Sequence, residues 1–228
     1  MGDREDAYRQ IFKKKYNRHK IKMEYNKKYR FNEKWFDIAI KTWEQIFPHF
    51  PNIENVLEIG CYEGRATVWV CENVLTNPDK HYNYDIVDTF GGSIDESGME
   101  KTKERLKNEN FIENNFRHNI SFFPEISFNI HKGISQQILP TFKPEEKYDF
   151  IYIDASHRAD DTFVDAYYAH KMLKVGGIII FDDYRWKDPK NLHPSNSPQL
   201  GIEIFNTMYD NSYKLLFHGY QVGFQKIK

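Results

Sequence analysis

The stretch NVLEIGCYEGRATVWV, residues 55–70, decides the fold. Its first five residues are typical of a short buried strand, and a helix is expected from about Ala66. Gly60 and Gly64 therefore lie in the turn between strand and helix, where a residue without a Cβ allows a tight bend and the close approach of a ligand. The N–H groups at the start of the helix can bind a carboxylate or another anion. The pattern indicates a ligand site at the carboxyl end of this strand.

The spacing of the glycines narrows the class of ligand. A dinucleotide-binding turn would carry G-x-G-x-x-G, but the second and third glycine positions hold Tyr62 and Arg65. The motif present is Glu58-x-Gly60-x-x-x-Gly64, which suits a ligand with a smaller charged end, such as the carboxylate and ammonium groups of an amino acid. A nicotinamide oxidoreductase is therefore a distant alternative.

The next predicted strand, YNYDIV at 82–87, is followed by Asp88. An acidic side chain at this strand end can accept hydrogen bonds from both hydroxyls of a ribose. The alternative role of Asp88 is to cap or turn the chain before residues 89–92. The glycine turn and Asp88 would lie at neighbouring strand ends of a doubly wound sheet, where ligands bind.

Strand and helix patterns alternate along the rest of the chain, which predicts an α/β fold with a buried, mostly parallel sheet. Asn32 is expected to cap a lead-in helix that ends at Pro48. The last two strands are separated only by His218 and Gly219, which predicts an antiparallel hairpin. The remaining predicted strands are SFNIHK (127–132), YDFIYI (148–153), GIIIF (177–181), YKLLF (213–217) and YQVGFQK (220–226). The remaining predicted helices run through KTKERLKN (101–108), FVDAYYAHKML (163–173) and IEIFNTMY (202–209).

Length and composition bound the class of protein. A chain of 228 residues, 40% hydrophobic and 29% charged, suits one globular domain. Two cysteines are too few for a disulfide framework, and no apolar run is long enough for a membrane span, so we expect a cytoplasmic protein without a membrane partner. Residues 1–34 hold twelve Lys or Arg against five Asp or Glu, and we expect a basic N-terminal arm over 1–31 before the domain at 32–228. Without a nucleic-acid motif, a solvated arm is favoured over one that binds nucleic acid.

Two of the later strands end in acidic residues. Asp154 follows YDFIYI, with His157 three positions on, and Asp182 and Asp183 follow GIIIF. If the two strands are neighbours, about 5 Å apart, the carboxylates repel one another unless a proton, a cation or solvent intervenes. Oxygen ligands without a cysteine cluster suit Mg²⁺, Mn²⁺ or Ca²⁺ better than zinc. Asp154, Asp182 and Asp183 are therefore candidate metal ligands, with turn and capping roles as the alternative.

The chain resembles a class I methyltransferase family, the O-methyltransferase-like group called methyltransferase family 24, over about residues 32–228. The motifs that carry the resemblance, in order and spacing, are VLEIGCYEGRAT, IVDTFGGS, FRHNI, HKGISQQIL, YDFIYIDASH, MLKVGGIIIFDDY and HGYQV. The resemblance implies a doubly wound, seven-stranded sheet with the C-terminal hairpin at one edge, and S-adenosylmethionine as the cofactor. By that analogy the cofactor-binding residues are Glu58, Gly60 and Gly64 around the methionine part, Asp88 at the ribose, and Gly133, Ile134 and Ser135 beside the adenine.

The same resemblance bears on the acidic residues. Asp154, Asp182 and Asp183 match the ion-binding positions of metal-dependent catechol-type and macrolide-sugar O-methyltransferases, although the catechol-type enzymes have Asn at the position of Asp183. His157 falls where the catechol-type enzymes have a basic Lys, which implies a general base, with Asp154 also in the catalytic set. The alternative role of His157 is a surface or capping residue. Tyr62 is a departure, because many methyltransferases carry a further glycine there.

We therefore predict transfer of a sulfonium methyl group to a hydroxyl of a small molecule or sugar, with Mg²⁺ or Mn²⁺ lowering the pKa of that hydroxyl. Tyr184, Trp186 and Tyr220 are candidate walls for the acceptor. A methyltransferase acting on nucleic acid or protein is one alternative, although the chain lacks the Asp/Asn-Pro-Pro-aromatic tetrapeptide of base-amine methylation. A domain that binds the cofactor without turnover is the other.

Overall fold

The computed structural model describes residues 28–92, 107 and 110–228, and seven strands of this part of the chain form one sheet. The strands are β1 (Asn55–Ile59), β2 (Tyr82–Asp88), β3 (Ile126–Lys132), β4 (Tyr148–Ile153), β5 (Leu173–Phe181), β6 (Tyr213–His218) and β7 (Val222–Lys226). Their order is β3-β2-β1-β4-β5-β7-β6, and β7 is antiparallel to both of its neighbours while the other pairs are parallel. The predicted mostly parallel sheet with an antiparallel C-terminal hairpin is confirmed.

Helices cover both faces of the sheet, as a doubly wound fold requires. They are α1 (Ile40–Ile46), α2 (Arg65–Asn73), α3 (Phe111–Ile120), α4 (Ser135–Ile138), α5 (Ala159–Met172) and α6 (Pro198–Met208). Trp43 of α1, Trp69 of α2 and Phe116 of α3 belong to the core on one face. Ala166 of α5 and Phe205 of α6 belong to the core on the other face. Within the described ranges, no helix is long and apolar enough to cross a membrane.

The strand order determines where a ligand site can lie. From β1 the chain builds outward through β2 and β3 on one side, and β4 and β5 lie on the other side of β1. The order therefore reverses between β1 and β4, and the crevice outside the carboxyl ends of these strands is where doubly wound sheets bind ligands. The glycine turn follows β1, and Asp154 follows β4.

Several predicted element boundaries differ from the observed ones. Asn32 does not cap a helix: a 3-10 turn at Trp35–Ile38 comes first, α1 follows, and a second 3-10 turn covers Phe47–His49. The strand predicted at 177–181 begins earlier, at Leu173, and residues 219–221 separate β6 from β7. The helix predicted at 101–108 lies outside the described residues except for position 107, and α3 was not predicted.

Residues 28–31, which the sequence assigned to the arm, contact the domain. The hydroxyl of Tyr29 donates a hydrogen bond to Glu72 at 2.6 Å, and the backbone N–H of Arg30 donates one to Asn119 at 2.7 Å. The ring of Tyr29 also packs against the core. The rest of the predicted arm, residues 1–27, lies outside the described residues.

Candidate active site

The turn after β1 forms one half of the site. Gly60 and Gly64 both have a left-handed backbone, with φ of +84° and +77°. A Cβ at Gly60 would lie 2.0 Å from the carbonyl oxygen of Asp154, and a Cβ at Gly64 would lie 2.7 Å from the ring of Phe116. Glycine avoids both the backbone strain and the clash. The turn after β1 therefore rests directly on the backbone that follows β4.

Asp88 holds this turn in place. Its Oδ2 accepts hydrogen bonds from the backbone N–H groups of Cys61 and Tyr62 at 2.6 and 2.9 Å, and its Oδ1 accepts one from Phe90 at 2.6 Å. Tyr62 has a φ of +51°, so it takes up the left-handed conformation for which many methyltransferases use a further glycine. The structure thus gives Asp88 the turn-forming role. A carboxylate offers about four acceptor positions, so about one is left for a ribose hydroxyl. The ribose contact of Asp88 stays a prediction.

Glu58, at the end of β1, is a buried acid with an unused oxygen. Its Oε2 accepts hydrogen bonds from the hydroxyls of Thr67 and Tyr84 at 2.8 and 2.6 Å. Its Oε1 has no hydrogen-bond partner among the described residues. Burial raises the pKa of Glu58 from 4.5 to about 7. A cationic group placed beside Oε1 would favour the ionised carboxylate.

The loop after β3 lies next to Asp88. The backbone N–H of Gly133 donates a hydrogen bond to the backbone oxygen of Asp88 at 2.9 Å. The side chain of Ile134 is half exposed, whereas Ser135 is buried at the start of α4. Ile134 therefore presents an exposed apolar side chain beside the predicted ribose position, and the adenine contact of Gly133, Ile134 and Ser135 stays a prediction.

Two acids at the ends of β4 and β5 share one hydroxyl. The hydroxyl of Tyr152 donates a hydrogen bond to Oδ2 of Asp182 and lies 3.2 Å from Oδ2 of Asp154. Burial, together with repulsion from neighbouring carboxylates, raises the pKa of Asp182 to about 6 and the pKa of Asp154 well above its usual range. The amide of Gln221 donates to the Tyr152 hydroxyl at 3.1 Å, and the indole of Trp43 donates to Gln221 at 2.7 Å. The geometry of this pair therefore depends on buried residues from β4, α1 and the β6–β7 turn.

His157 pairs with the third acid. Its Nε2 lies 2.8 Å from Oδ2 of Asp183, and both side chains are less than one-fifth exposed. Asp183 has a φ of +53°, and its backbone oxygen accepts a hydrogen bond from the N–H of Trp186. The rings of His157 and Trp186 are 4.3 Å apart. A strained turn after β5 thus presents a carboxylate to His157 and covers the imidazole with an indole.

The three predicted acceptor walls divide into two groups. Trp186 covers His157, and Tyr220 hydrogen bonds to Asp183, so both belong to this half of the site. Tyr184 instead donates a hydrogen bond to Glu203 at 3.0 Å and packs against His218. Of the three, only Trp186 and Tyr220 contact the His157–Asp183 pair.

The arrangement of the acids bears on the predicted metal site. Asp154 and Asp182 turn toward the hydroxyl of Tyr152, and Asp183 turns toward His157. Within the part of the chain that the structure describes, no group of three or more His, Cys, Asp or Glu side chains is arranged to hold a metal ion. The three carboxylates do come to one edge of the sheet, and metal binding by them stays a prediction.

A segment before α1 contacts the glycine turn from outside. The backbone N–H and the side-chain amide of Asn32 each donate a hydrogen bond of 2.6 Å to Glu63, and Arg65 forms an ion pair with Asp37. The rings of Trp35 and Tyr62 are 5.1 Å apart. A shallow cavity that is open to solvent is lined by Asn32, Glu33, Lys34 and Trp35. An open cavity therefore adjoins the turn that follows β1.

Sequence reasoning missed several of these residues. Tyr152 could have been found, because it lies two positions before Asp154 on a strand and therefore on the same face. Gln221 and Trp43 gave no such signal, because their contact with Tyr152 joins distant parts of the chain. Glu63 is bound by both Asn32 and Asn115, and the sequence singled out none of the three for this role.

Comparison with known proteins shows one matching family and many structures of like fold. A family model described as a methyltransferase domain, methyltransferase family 24, matches residues 57–184. The structure of the O-methyltransferase NovP is 17% identical, with a TM-score of 0.58 over 85% of this chain and 79% of NovP. TomG from Streptomyces achromogenes, an O-methyltransferase involved in tomaymycin synthesis and solved in complex with SAM, is 14% identical, with a TM-score of 0.55 over 82% of this chain and 80% of TomG.

An O-methyltransferase from Bacillus cereus, solved in complex with SAH, is 18% identical, with a TM-score of 0.51 over 82% of this chain and 81% of its own. No curated protein matches the chain in sequence. At these identities the structural likeness shows a shared fold.

Proposed function

Because the chain belongs to the methyltransferase family whose model it matches over residues 57–184, we propose that it transfers a methyl group from S-adenosylmethionine to a hydroxyl of a small molecule. The family match confirms the resemblance inferred from the sequence motifs. The structures of TomG with SAM and of the Bacillus cereus enzyme with SAH support the choice of cofactor. When bound, S-adenosylmethionine supplies an electrophilic methyl group on a sulfonium.

The residues at the carboxyl edge fit this cofactor. The unpartnered Oε1 of Glu58 can accept from the ammonium group of the methionine part, and the N–H groups at the start of α2 can take its carboxylate. Asp88 has about one acceptor position left for a ribose hydroxyl. The half-exposed Ile134 offers an apolar surface to the adenine, with Gly133 and Ser135 on either side.

The observation that carries the proposal is the contact between the two halves of the site. The 2.0 Å clash that a Cβ at Gly60 would make with the backbone of Asp154 shows that the glycine turn and the His157 loop touch. A methyl donor held on the turn and a base on the loop therefore share one crevice. Methyl transfer needs the acceptor oxygen in line with the donor and a group that takes its proton.

His157 is the group that we assign to the proton. Its Nε2 faces the carboxylate of Asp183 at 2.8 Å, a contact that orients the imidazole. An acceptor hydroxyl that passes its proton to the imidazole keeps the electron pair that forms the new O–CH₃ bond, as the bond between the methyl group and the donor sulfur breaks. Asp183 then stabilises the imidazolium, as a carboxylate does for a catalytic histidine elsewhere.

The cavity lined by Asn32, Glu33, Lys34 and Trp35 is the proposed entry for the acceptor. It is open to solvent and adjoins the glycine turn through the contact between Trp35 and Tyr62. Trp35 supplies an apolar ring face that is about half exposed, beside polar neighbours of both charges. The involvement of TomG in tomaymycin synthesis supports a small-molecule acceptor. We also propose a cytoplasmic location, because the two cysteines are free thiols, as is usual in a reducing compartment.

Divalent-metal assistance at Asp154, Asp182 and Asp183 remains a separate prediction from the sequence. The side chains of Asp154 and Asp182 are turned toward Tyr152, and that of Asp183 is turned toward His157. Exhaustive chelation tests the prediction. Loss of turnover that Mg²⁺ or Mn²⁺ restores would establish the ion, and unchanged turnover would leave His157 and Asp183 as the proton-handling pair.

The proposed function is tested with the full chain and methyl-labelled S-adenosylmethionine. The acceptor panel pairs small phenols and sugars with the same molecules in which the hydroxyl is an amine or is already methylated. We expect label in hydroxyl acceptors and none in the pre-methylated controls. Transfer to amines alone would overturn the oxygen specificity, and cofactor binding without transfer to any acceptor would favour a binding domain.

A further inference from the structure

A buried acid lies behind the loop that follows β3. Asp165, on α5, is fully buried, and its Oδ1 accepts a hydrogen bond from the side-chain amide of Gln136 at 3.1 Å. Its carboxylate also interacts with Ser135. Its Oδ2 has no hydrogen-bond partner among the described residues. Both partners belong to the loop and helix start that adjoin Asp88.

Burial of this carboxyl group costs free energy of folding. Burial raises the pKa of Asp165 to about 7, and the nearest residues of the same helix in the core, Ala166 and Ala169, are small and apolar. An apolar residue at 165 would avoid the cost of burying a carboxylate with an unused oxygen. Within the described ranges, the side-chain hydrogen bonds of Asp165 go to Ser135 and Gln136, whereas Asp161 of its own helix repels it, so its role lies at the start of α4.

We propose that Asp165 is a positioning residue for recognition of the adenine ring, acting through the side chain of Gln136. An amide side chain has a donor end and an acceptor end. Asp165 takes the donor end, since Nε2 of Gln136 donates to its Oδ1, and the acceptor end Oε1 is thereby fixed on the opposite side. The exocyclic amine of adenine is a donor and matches a fixed acceptor, whereas hypoxanthine has a carbonyl oxygen in that place and is repelled.

The inference rests on the proposed cofactor, and it differs from a purely structural role in one measurable respect. If Asp165 only ties α4 to α5, its loss lowers stability and weakens the binding of every ligand in the loop equally. If Asp165 orients Gln136, its loss removes the preference for adenine over hypoxanthine. The ratio of the two affinities therefore separates the two roles.

The experiment measures binding of S-adenosylhomocysteine and S-inosylhomocysteine to the full chain by calorimetry. We expect the wild type to prefer the adenine compound, and Asp165→Leu and Gln136→Leu each to reduce that preference by about tenfold, the effect of one hydrogen bond. Asp165→Asn should keep the preference, because its amide oxygen can still accept from Gln136. Asp160→Asn, an exposed position on the same helix, is the matched control.

Three results would overturn the inference. An unchanged affinity ratio in both leucine variants would show that Asp165 does not act on the base, while the cofactor site would stand. Loss of the preference in Gln136→Leu with none in folded Asp165→Leu would assign recognition to Gln136 alone. No binding of S-adenosylhomocysteine by the wild type would overturn the proposed function as well. If Asp165→Leu does not fold, Asp165→Asn and Gln136→Leu still carry the test.

Discussion

Asp88 and the Asp154–Asp182 pair lie at the same edge of the sheet but are stabilised in opposite ways. Asp88 accepts hydrogen bonds from three backbone N–H groups. Asp154 and Asp182 instead share the hydroxyl of Tyr152, and repulsion helps to raise the pKa of both. Main-chain donors therefore build the half of the site that we propose binds the cofactor, whereas acidic side chains with raised pKa values build the other half.

The largest effect is expected where the two halves touch. Gly60→Ala combines a left-handed backbone with a Cβ that would lie 2.0 Å from the Asp154 carbonyl oxygen, so we expect loss of detectable S-adenosylhomocysteine binding and a clear fall in the free energy of unfolding. Gly176→Ala is the matched control, since Gly176 also has a positive φ, +88°, but open space around the added Cβ. It should cost only about 1–2 kcal/mol of backbone strain and keep binding. Equal losses in the two variants would refute a contact role for Gly60.

The acidic half is expected to affect turnover rather than binding. His157→Gln removes the base but none of the residues on the glycine turn, so kcat should fall by about 10²–10⁴-fold while S-adenosylhomocysteine binds as before. His81→Gln, at an exposed position before β2 on the opposite edge, should change neither quantity. The rates are measured with an acceptor found in the hydroxyl panel. A kcat that is unchanged in His157→Gln would assign the proton to another group.

The glycine half is expected to show pH-dependent binding through Glu58. An ammonium ligand favours the ionised acid, so S-adenosylhomocysteine affinity should rise as pH increases through about 7, the pKa of Glu58, and Glu58→Gln should abolish this rise. At pH 8 the variant should bind about tenfold or more weakly, the effect of a hydrogen bond to a charged group. Calorimetry across pH 5.5–8.5 in roughly half-unit steps measures both. A pH profile shared by the two proteins would remove Glu58 from the ligand.

Whereas ligand affinity should rise with pH, the stability of the ligand-free protein should fall with pH because of Glu58. The folded-state pKa of Glu58, about 7, lies above its ordinary value of 4.5, so the folded state binds the extra proton between these values. The contribution of Glu58 to the free energy of unfolding is therefore fully present below about pH 4.5 and is lost as the pH rises through about 7. Asp165 and Asp182 have raised pKa values as well, so the contribution of Glu58 is the difference between the wild type and Glu58→Gln in denaturant titrations.

The smallest effect is expected at the entry to the site. Trp35→Ala removes the ring beside Tyr62 and should raise the KM for the acceptor by about fivefold, in keeping with about 1 kcal/mol for an aromatic contact. The affinity for S-adenosylhomocysteine should change less than the KM. Phe122→Ala, another partly exposed aromatic residue that lies away from this cavity, serves as the control. A KM unchanged in Trp35→Ala would place the acceptor elsewhere.

The sequence predicted the elements that depend on local pattern. The bounds of β1 and β4 agree with the predicted stretches, because their apolar runs lie between clear turn residues. It failed for α3, in which the polar Asn115 and Asn119 are buried because they bind Glu63. Asn32 has the composition of a helix cap, but its side chain binds the same Glu63 instead. Contacts with Glu63, which is distant in the sequence, explain both differences.

The candidate site shows the same division. The glycine turn was predictable, because the spacing of Gly60 and Gly64 indicates a tight turn. The backbone N–H groups of this turn bind Asp88. The pairing of His157 with Asp183 and the sharing of Tyr152 by two acids follow from side-chain orientations that spacing does not encode. Asp165 was not predicted either, because its partners lie at the start of α4, about thirty residues away in the sequence.

We infer that the carboxyl edge of β1, β2 and β3 binds S-adenosylmethionine, and a titration with the demethylated product tests this binding directly. The full chain is titrated with S-adenosylhomocysteine by calorimetry, with adenosine alone and homocysteine alone as the partial ligands. We predict saturable binding at one site per chain, tighter than either partial ligand, because the ends of the three strands contact different parts of the molecule. A folded protein that shows no saturable binding, or that binds adenosine as tightly as the whole compound, would contradict the account.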